Sequence, residues 1–143
     1  LKAGASIAIP DDPTNRGRAL LLLQANGLIT LSPGAGIAGT PADITSNPKS
    51  LRFRELEAAQ LPRALGDVDA AIINGNYALD AGLNPVTDSL ILEGAESPWV
   101  NIVVVKAGNE NDPRILALSA ALRSQKVKDF ILATYNGGVV PAF

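Results

Sequence analysis

An α/β fold with a mainly parallel sheet is predicted for this chain from three observations. Short apolar or β-branched runs alternate with helical patterns from one end to the other. Helix-closing and turn signals separate them, and no internal repeat or low-complexity segment breaks the alternation. With 143 residues, 47% of them apolar, and a net charge of -2, the chain is long enough for one compact domain with a real core.

Residues 6–10, Ser-Ile-Ala-Ile-Pro, read as a short apolar strand. A helix is predicted over 14–25, with Thr14 as N-cap, Pro13 stopping any earlier helix, and the Leu20 to Leu23 run buried nearly all round. Asn26-Gly27 closes it with a left-handed C-cap. The Gly- and Pro-rich stretch 28–40 is a loop, and 42–46 one helical turn ended by Asn47-Pro48. Residues 51–56 alternate charged and apolar, which suits a strand with one wet face. A short helix over 58–65 leads to a buried strand over 68–73, cut by Asn74-Gly75. A helical turn over 77–81 and a short strand over 89–92 follow. Residues 100–106 are the most β-branched run and read as a strand, and two helices over 113–123 and 127–133 finish the chain.

Composition excludes several kinds of chemistry. There is no cysteine, hence no disulfide and no thiolate metal site, and no histidine, which removes the nucleophilic triads, imidazole metal sites and the usual neutral-pH general base. Enzyme readings start at a disadvantage. The 12 Lys and Arg are scattered and outnumbered by 14 Asp and Glu, so nucleic acid is not an expected partner. No stretch is long and apolar enough to read as a membrane span, and no signal peptide is recognisable. A first residue of Leu that runs almost directly into a strand reads as a mature fragment or a truncated chain.

Two arginines, Arg16 and Arg18, fall in the first turn of the 14–25 helix. Cations are unfavourable at that positive end unless an anion lies between. With Thr14 capping and Gly17 keeping the backbone approachable, the segment reads as a pocket for a carboxylate or phosphate. In a parallel sheet, ligands sit beyond the carboxyl ends of the strands, where Arg18, Asn74 and Asn101 all fall by sequence. Arg18 can fork onto both oxygens of a carboxylate, and each asparagine offers a donor pair and an acceptor, a set that matches an amino acid's carboxylate and amine. Plain readings stand beside these: Arg18 paired with Asp11 or Asp12, Asn74-Gly75 as a turn, Asn101 serving a strand-edge backbone group, and Trp99 packed.

Five segments then carry a resemblance. Pro10-Asp-Asp-Pro-Thr-Asn-Arg-Gly-Arg-Ala-Leu-Leu-Leu-Leu-Gln24, Glu55-Leu-Glu-Ala-Ala-Gln-Leu-Pro-Arg63, Asn74 with Tyr77-Ala78, Glu96-Ser-Pro-Trp-Val-Asn101 and Asn136-Gly137-Gly138 resemble, in order, the NlpA/MetQ family of methionine-binding lipoproteins. Asp11 departs from the usual Asn, and Trp99 from the usual Tyr. The resemblance implies one lobe of a periplasmic-binding-protein-like (type II) receptor with most of the first lobe missing. It places the second lobe at 1–95 and, at 96–143, the hinge and the segment returning to the first lobe. It implies Arg18 as the carboxylate ligand, Asn74 and Asn101 as polar contacts, a hinge near 95–100, and no catalysis, cofactor or metal. The implied partners are methionine or a related amino acid and the permease of an ABC importer. The implied location is the cell envelope, held through an N-terminal lipid outside this chain. An alternative of another class is a phosphate- or nucleotide-handling enzyme fragment, which lacks a Gly-rich phosphate loop with Lys. A third reading, compatible with the first, pairs the truncated chain with its own copy through apolar surface.

Overall fold

A computed structural model describes residues 1–94 and 99–143. In chain order its elements are β1 (Ser6–Pro10), α1 (Pro13–Ala25), β2 (Thr30–Leu31), β3 (Ile44–Ser46), β4 (Arg52–Leu56), α2 (Leu61–Ala64), β5 (Ala70–Ala71), α3 (Gly75–Asp80), α4 (Pro85–Asp88), α5 (Pro113–Leu122) and α6 (Gln125–Tyr135). Single 3-10 turns lie at Gly36–Ala38, Pro41–Asp43 and Ala58–Gln60. These residues divide into two compact units, Leu1–Asn84 and Pro85–Phe143.

The first unit is built around β1. Ile7, Ala8 and Ile9 are all buried, which is what a strand needs when both faces of its sheet are covered. β4 and β5 flank it, both parallel, in the order β4-β1-β5. The register runs from Ser6 opposite Arg52 to Pro10 opposite Leu56, and Ile7 and Ala8 stand opposite Ala70 and Ala71. On one face Ala8 packs with Leu61 and Ala64 of α2, joined by Leu56, Val68 and Ile73. Ile7 and Ile9 point to the other face by alternation, and α1, which contacts β1, contributes the buried Leu20 and Leu23. β4 keeps the expected alternation over its first three residues, with Arg52 and Arg54 exposed and Phe53 half-buried, and loses it at the exposed Glu55 and half-buried Leu56.

Several expectations are corrected. The N-cap of α1 is Asp12, not Thr14, because Pro13 at the first helical position moves the start one residue earlier. Leu21 and Leu22 are only half-buried, since a helix against one sheet face covers one stripe. The 28–40 loop holds β2, and the turn expected over 42–46 is a 3-10 turn followed by β3, which pairs antiparallel with β2. The ladder of β5 is shorter than 68–73 because only Ala70 and Ala71 find partners on β1. No strand forms over 89–92 or 100–106 among the described residues, where nothing pairs with these runs, and Ile102 and Val104 are 74% and 80% exposed. The helices expected near the end are present as α5 and α6. The expected lobe boundary at 95/96 and part of the expected hinge fall on residues 95–98, outside the described residues.

Candidate functional site

The carboxyl ends of β1 and β5 are neighbours because the strands are parallel and adjacent, and each runs straight into a helix. Pro10 leads through Asp11 and Asp12 into α1, and Asn74 opens α3. At the start of α1, Asp12 takes an extended conformation and its side chain accepts the Asn15 backbone N–H at 3.0 Å. That bond holds the Asp12 carboxyl below the usual carboxylate range, against partial burial, with help from the Asn15 side chain. The anion that the helix dipole favours is therefore Asp12 itself.

Asn15 connects the two helix starts. Its Nδ2 donates to both Asp12 carboxylate oxygens, at 3.1 and 3.0 Å, and its Oδ1 accepts from Asn74 Nδ2 at 2.8 Å. Asn74 sits at the N-cap of α3 yet makes no side-chain cap bond, and its Oδ1 is buried without a partner among the described residues. A cap-forming residue that gives its side chain to a contact 59 positions away is serving something other than its own helix.

The two arginines separate. Arg16 finds its negative partner in Glu55, at 2.9 Å, at the end of β4 and not at Asp11 or Asp12, and its Nε is buried without a partner among the described residues. Arg18 is half-buried and lies one turn beyond Asn15, so the two share a helix face on the Asn74 side. Gly17, expected to keep the backbone open to a guest, is covered instead: a Cβ there would lie 2.0 Å from the Ile37 carbonyl oxygen. Asn101 belongs to the second unit, exposed and outside any strand or helix, and Trp99 is half-buried. Of the Glu96 to Asn101 motif, 96–98 lie outside the described residues.

Asn15 and Glu55 were not among the expected site residues. The Asp12-x-x-Asn15 spacing is that of a capping box, the one signal that points to Asn15. Two shallow clefts of about 180 and 270 Å³ share Arg63, and neither is lined by Arg18 or Asn74. Among the described residues no group of three or more acidic side chains gathers as a metal site.

A family model described as NlpA lipoprotein matches residues 1–143. The chain belongs to the NlpA lipoprotein family. This NlpA-family chain is 48% identical to Lipoprotein 28 of Escherichia coli K12, over all of this chain and 53% of that protein. It is 45% identical to the D-methionine-binding lipoprotein MetQ of Yersinia pestis, over 98% of this chain and 52% of that one. The chain thus spans about half the length of the curated relatives it matches. Among solved structures, it resembles a nutrient-binding protein from Burkholderia cenocepacia bound to methionine, with a TM-score of 0.89 and 49% identity over 100% of this chain and 61% of that one. A crystal structure of the methionine-binding protein MetQ gives a TM-score of 0.82 and 43% identity, over 98% and 58% of the two chains. The NlpA-family fold therefore extends over the whole described α/β arrangement.

Proposed function

We propose that this chain is the ligand-holding part of a substrate-binding lipoprotein that delivers methionine, as either enantiomer or a close derivative, to an ABC importer. The observation that carries the reading is the likeness, along the entire chain, to a nutrient-binding protein bound to methionine. The site chemistry supports it. Arg18 supplies a guanidinium for the substrate carboxylate, and Asn74 offers the ammonium a buried oxygen that has no partner among the described residues. Asn101 is carried over from the family resemblance as a further polar contact, and residues 1–95 and 96–143 are read as the second lobe and as the hinge with the return to the first. Closure of the two lobes selects a ligand-bound state for the permease to recognise. Binding alone needs no catalytic group and no cofactor. The full-length protein is placed at the cell envelope by an N-terminal lipid.

Isothermal calorimetry on the full-length protein with L- and D-methionine tests this. Binding heat is expected for at least one enantiomer, and Arg18→Ala is expected to cost about 2–5 kcal/mol of binding free energy. No binding of either enantiomer, or unchanged affinity in Arg18→Ala, overturns the reading.

A further inference from the structure

The geometry points to Asn15 as a positioning residue that fixes which way round the Asn74 amide stands, so that Asn74 presents an oxygen and not an NH2 to the bound amino acid. The inference rests on the receptor reading and deepens it. An ionised carboxylate can only accept hydrogen bonds, and Asp12 holds both oxygens toward the Asn15 amide at 3.1 and 3.0 Å. Asn15 must therefore turn its NH2 to Asp12. Its own oxygen is then left facing Asn74, which must donate in turn, at 2.8 Å. The remaining end of Asn74 is the buried Oδ1 with no partner among the described residues. One charge at the N-cap of α1 is enough to dictate this order.

Turning either amide over brings like groups together. A reversed Asn15 sets its oxygen against the Asp12 carboxylate, and a reversed Asn74 sets two amide oxygens face to face. Both are opposed by lone-pair repulsion in a part-buried setting, where such contacts are weakly screened. The absence of a side-chain cap bond from Asn74 to α3 fits this reading, because the amide is committed across the site instead. A group carrying N–H donors and positive charge suits the oxygen so presented. The substrate ammonium is such a group, and a carboxylate is not.

The test is calorimetry of methionine binding to the full-length protein and five variants, with melting followed by circular dichroism to show that each variant is folded. Asn15→Ala is expected to weaken binding at least tenfold. In an Asn74→Ala background, the same change is expected to cost less than threefold, since there is no amide left to orient. The swapped pair Asp12→Asn with Asn15→Asp rebuilds the donor and acceptor order and is expected to return to within threefold of the parent, whereas Asn15→Asp alone, with two carboxylates facing, is not. Equal losses from Asn15→Ala with and without the Asn74 amide, or no recovery in the swapped pair, overturn the assignment. A parent protein that takes up no methionine sinks the receptor reading itself, a separate result.

Discussion

At Gly17 even a methyl group has nowhere to go. A Cβ would stand 2.0 Å from the Ile37 oxygen and 2.5 Å from its carbonyl carbon, both backbone atoms that move only with the 36–38 turn. Gly17→Ala is expected to lower stability by about 1–3 kcal/mol, the range for overpacking a close contact, as read from urea unfolding. The N-cap gives a second residue-scale prediction. Asp12→Ala removes the acceptor for the Asn15 N–H and is expected to cost about 1 kcal/mol, whereas Asp12→Asn, itself a good cap, is expected to cost less in the same titration. The place of Asn74, just past β5 and at the start of α3, was legible because Asn-Gly ends the apolar run before it. Glu55 was not legible as the partner of Arg16, because that pair forms only once β4 is laid in register beside β1. Asn15 escaped notice for a similar reason, since its meaning depends on Asn74, far along the chain.

Between elements, the entry to β1 is tied to the approach to β5 by one carboxylate. Asp69 accepts from the Ser6 N–H at 2.8 Å and the Ser6 hydroxyl at 2.9 Å, and pairs with Lys2 at 2.8 Å. Lys2 first, then the two Ser6 donors, hold the Asp69 carboxyl far below its ordinary value. A carboxyl depressed in the folded state stabilises fully above its unfolded pKa, about 3.9, and loses that contribution as pH falls through the folded value. Asp69→Asn is therefore expected to lower the melting temperature at pH 7, and the gap from the parent is expected to narrow as pH is taken well below 4. An unchanged gap across that range contradicts it. Within the core, Leu20→Ala is expected to cost about 2–5 kcal/mol by urea unfolding, because α1 buries that side chain completely. Helices were the most legible elements, since their caps and prolines are local signals. β1 and β4 were legible because apolar continuity and alternation reveal how many faces are covered. The β-branched run at 100–106 carries high strand propensity but finds no ladder, and propensity becomes a strand only when a neighbour supplies hydrogen bonds.

Over the whole molecule, the two units differ in how they treat apolar side chains. The first buries Ile7, Ile9, Leu20, Leu23 and Leu61 completely or nearly so, while α5 and α6 hold no fully buried residue. In the second unit Val104, Phe130 and Leu116 are 80%, 60% and 52% exposed. Apolar surface of this kind favours association. The 143-residue chain by itself is accordingly expected to show, by light scattering, a mass above 14.8 kDa that rises with concentration and falls back in Phe130→Glu. A constant monomer mass contradicts that expectation. Family membership and the α/β class were legible because they are spread over many positions, so no single misread strand disturbs them. The strand order has a consequence for synthesis. β1 is the middle of its sheet and precedes both of its neighbours in the chain, yet the partners of Ser6 and Ile7 are Arg52 and Ala70, which emerge much later. This strand, buried from Ile7 to Pro10, must therefore wait, without its ladder, until most of the first unit has been made, an interval in which a chaperone can take the place of the missing neighbours.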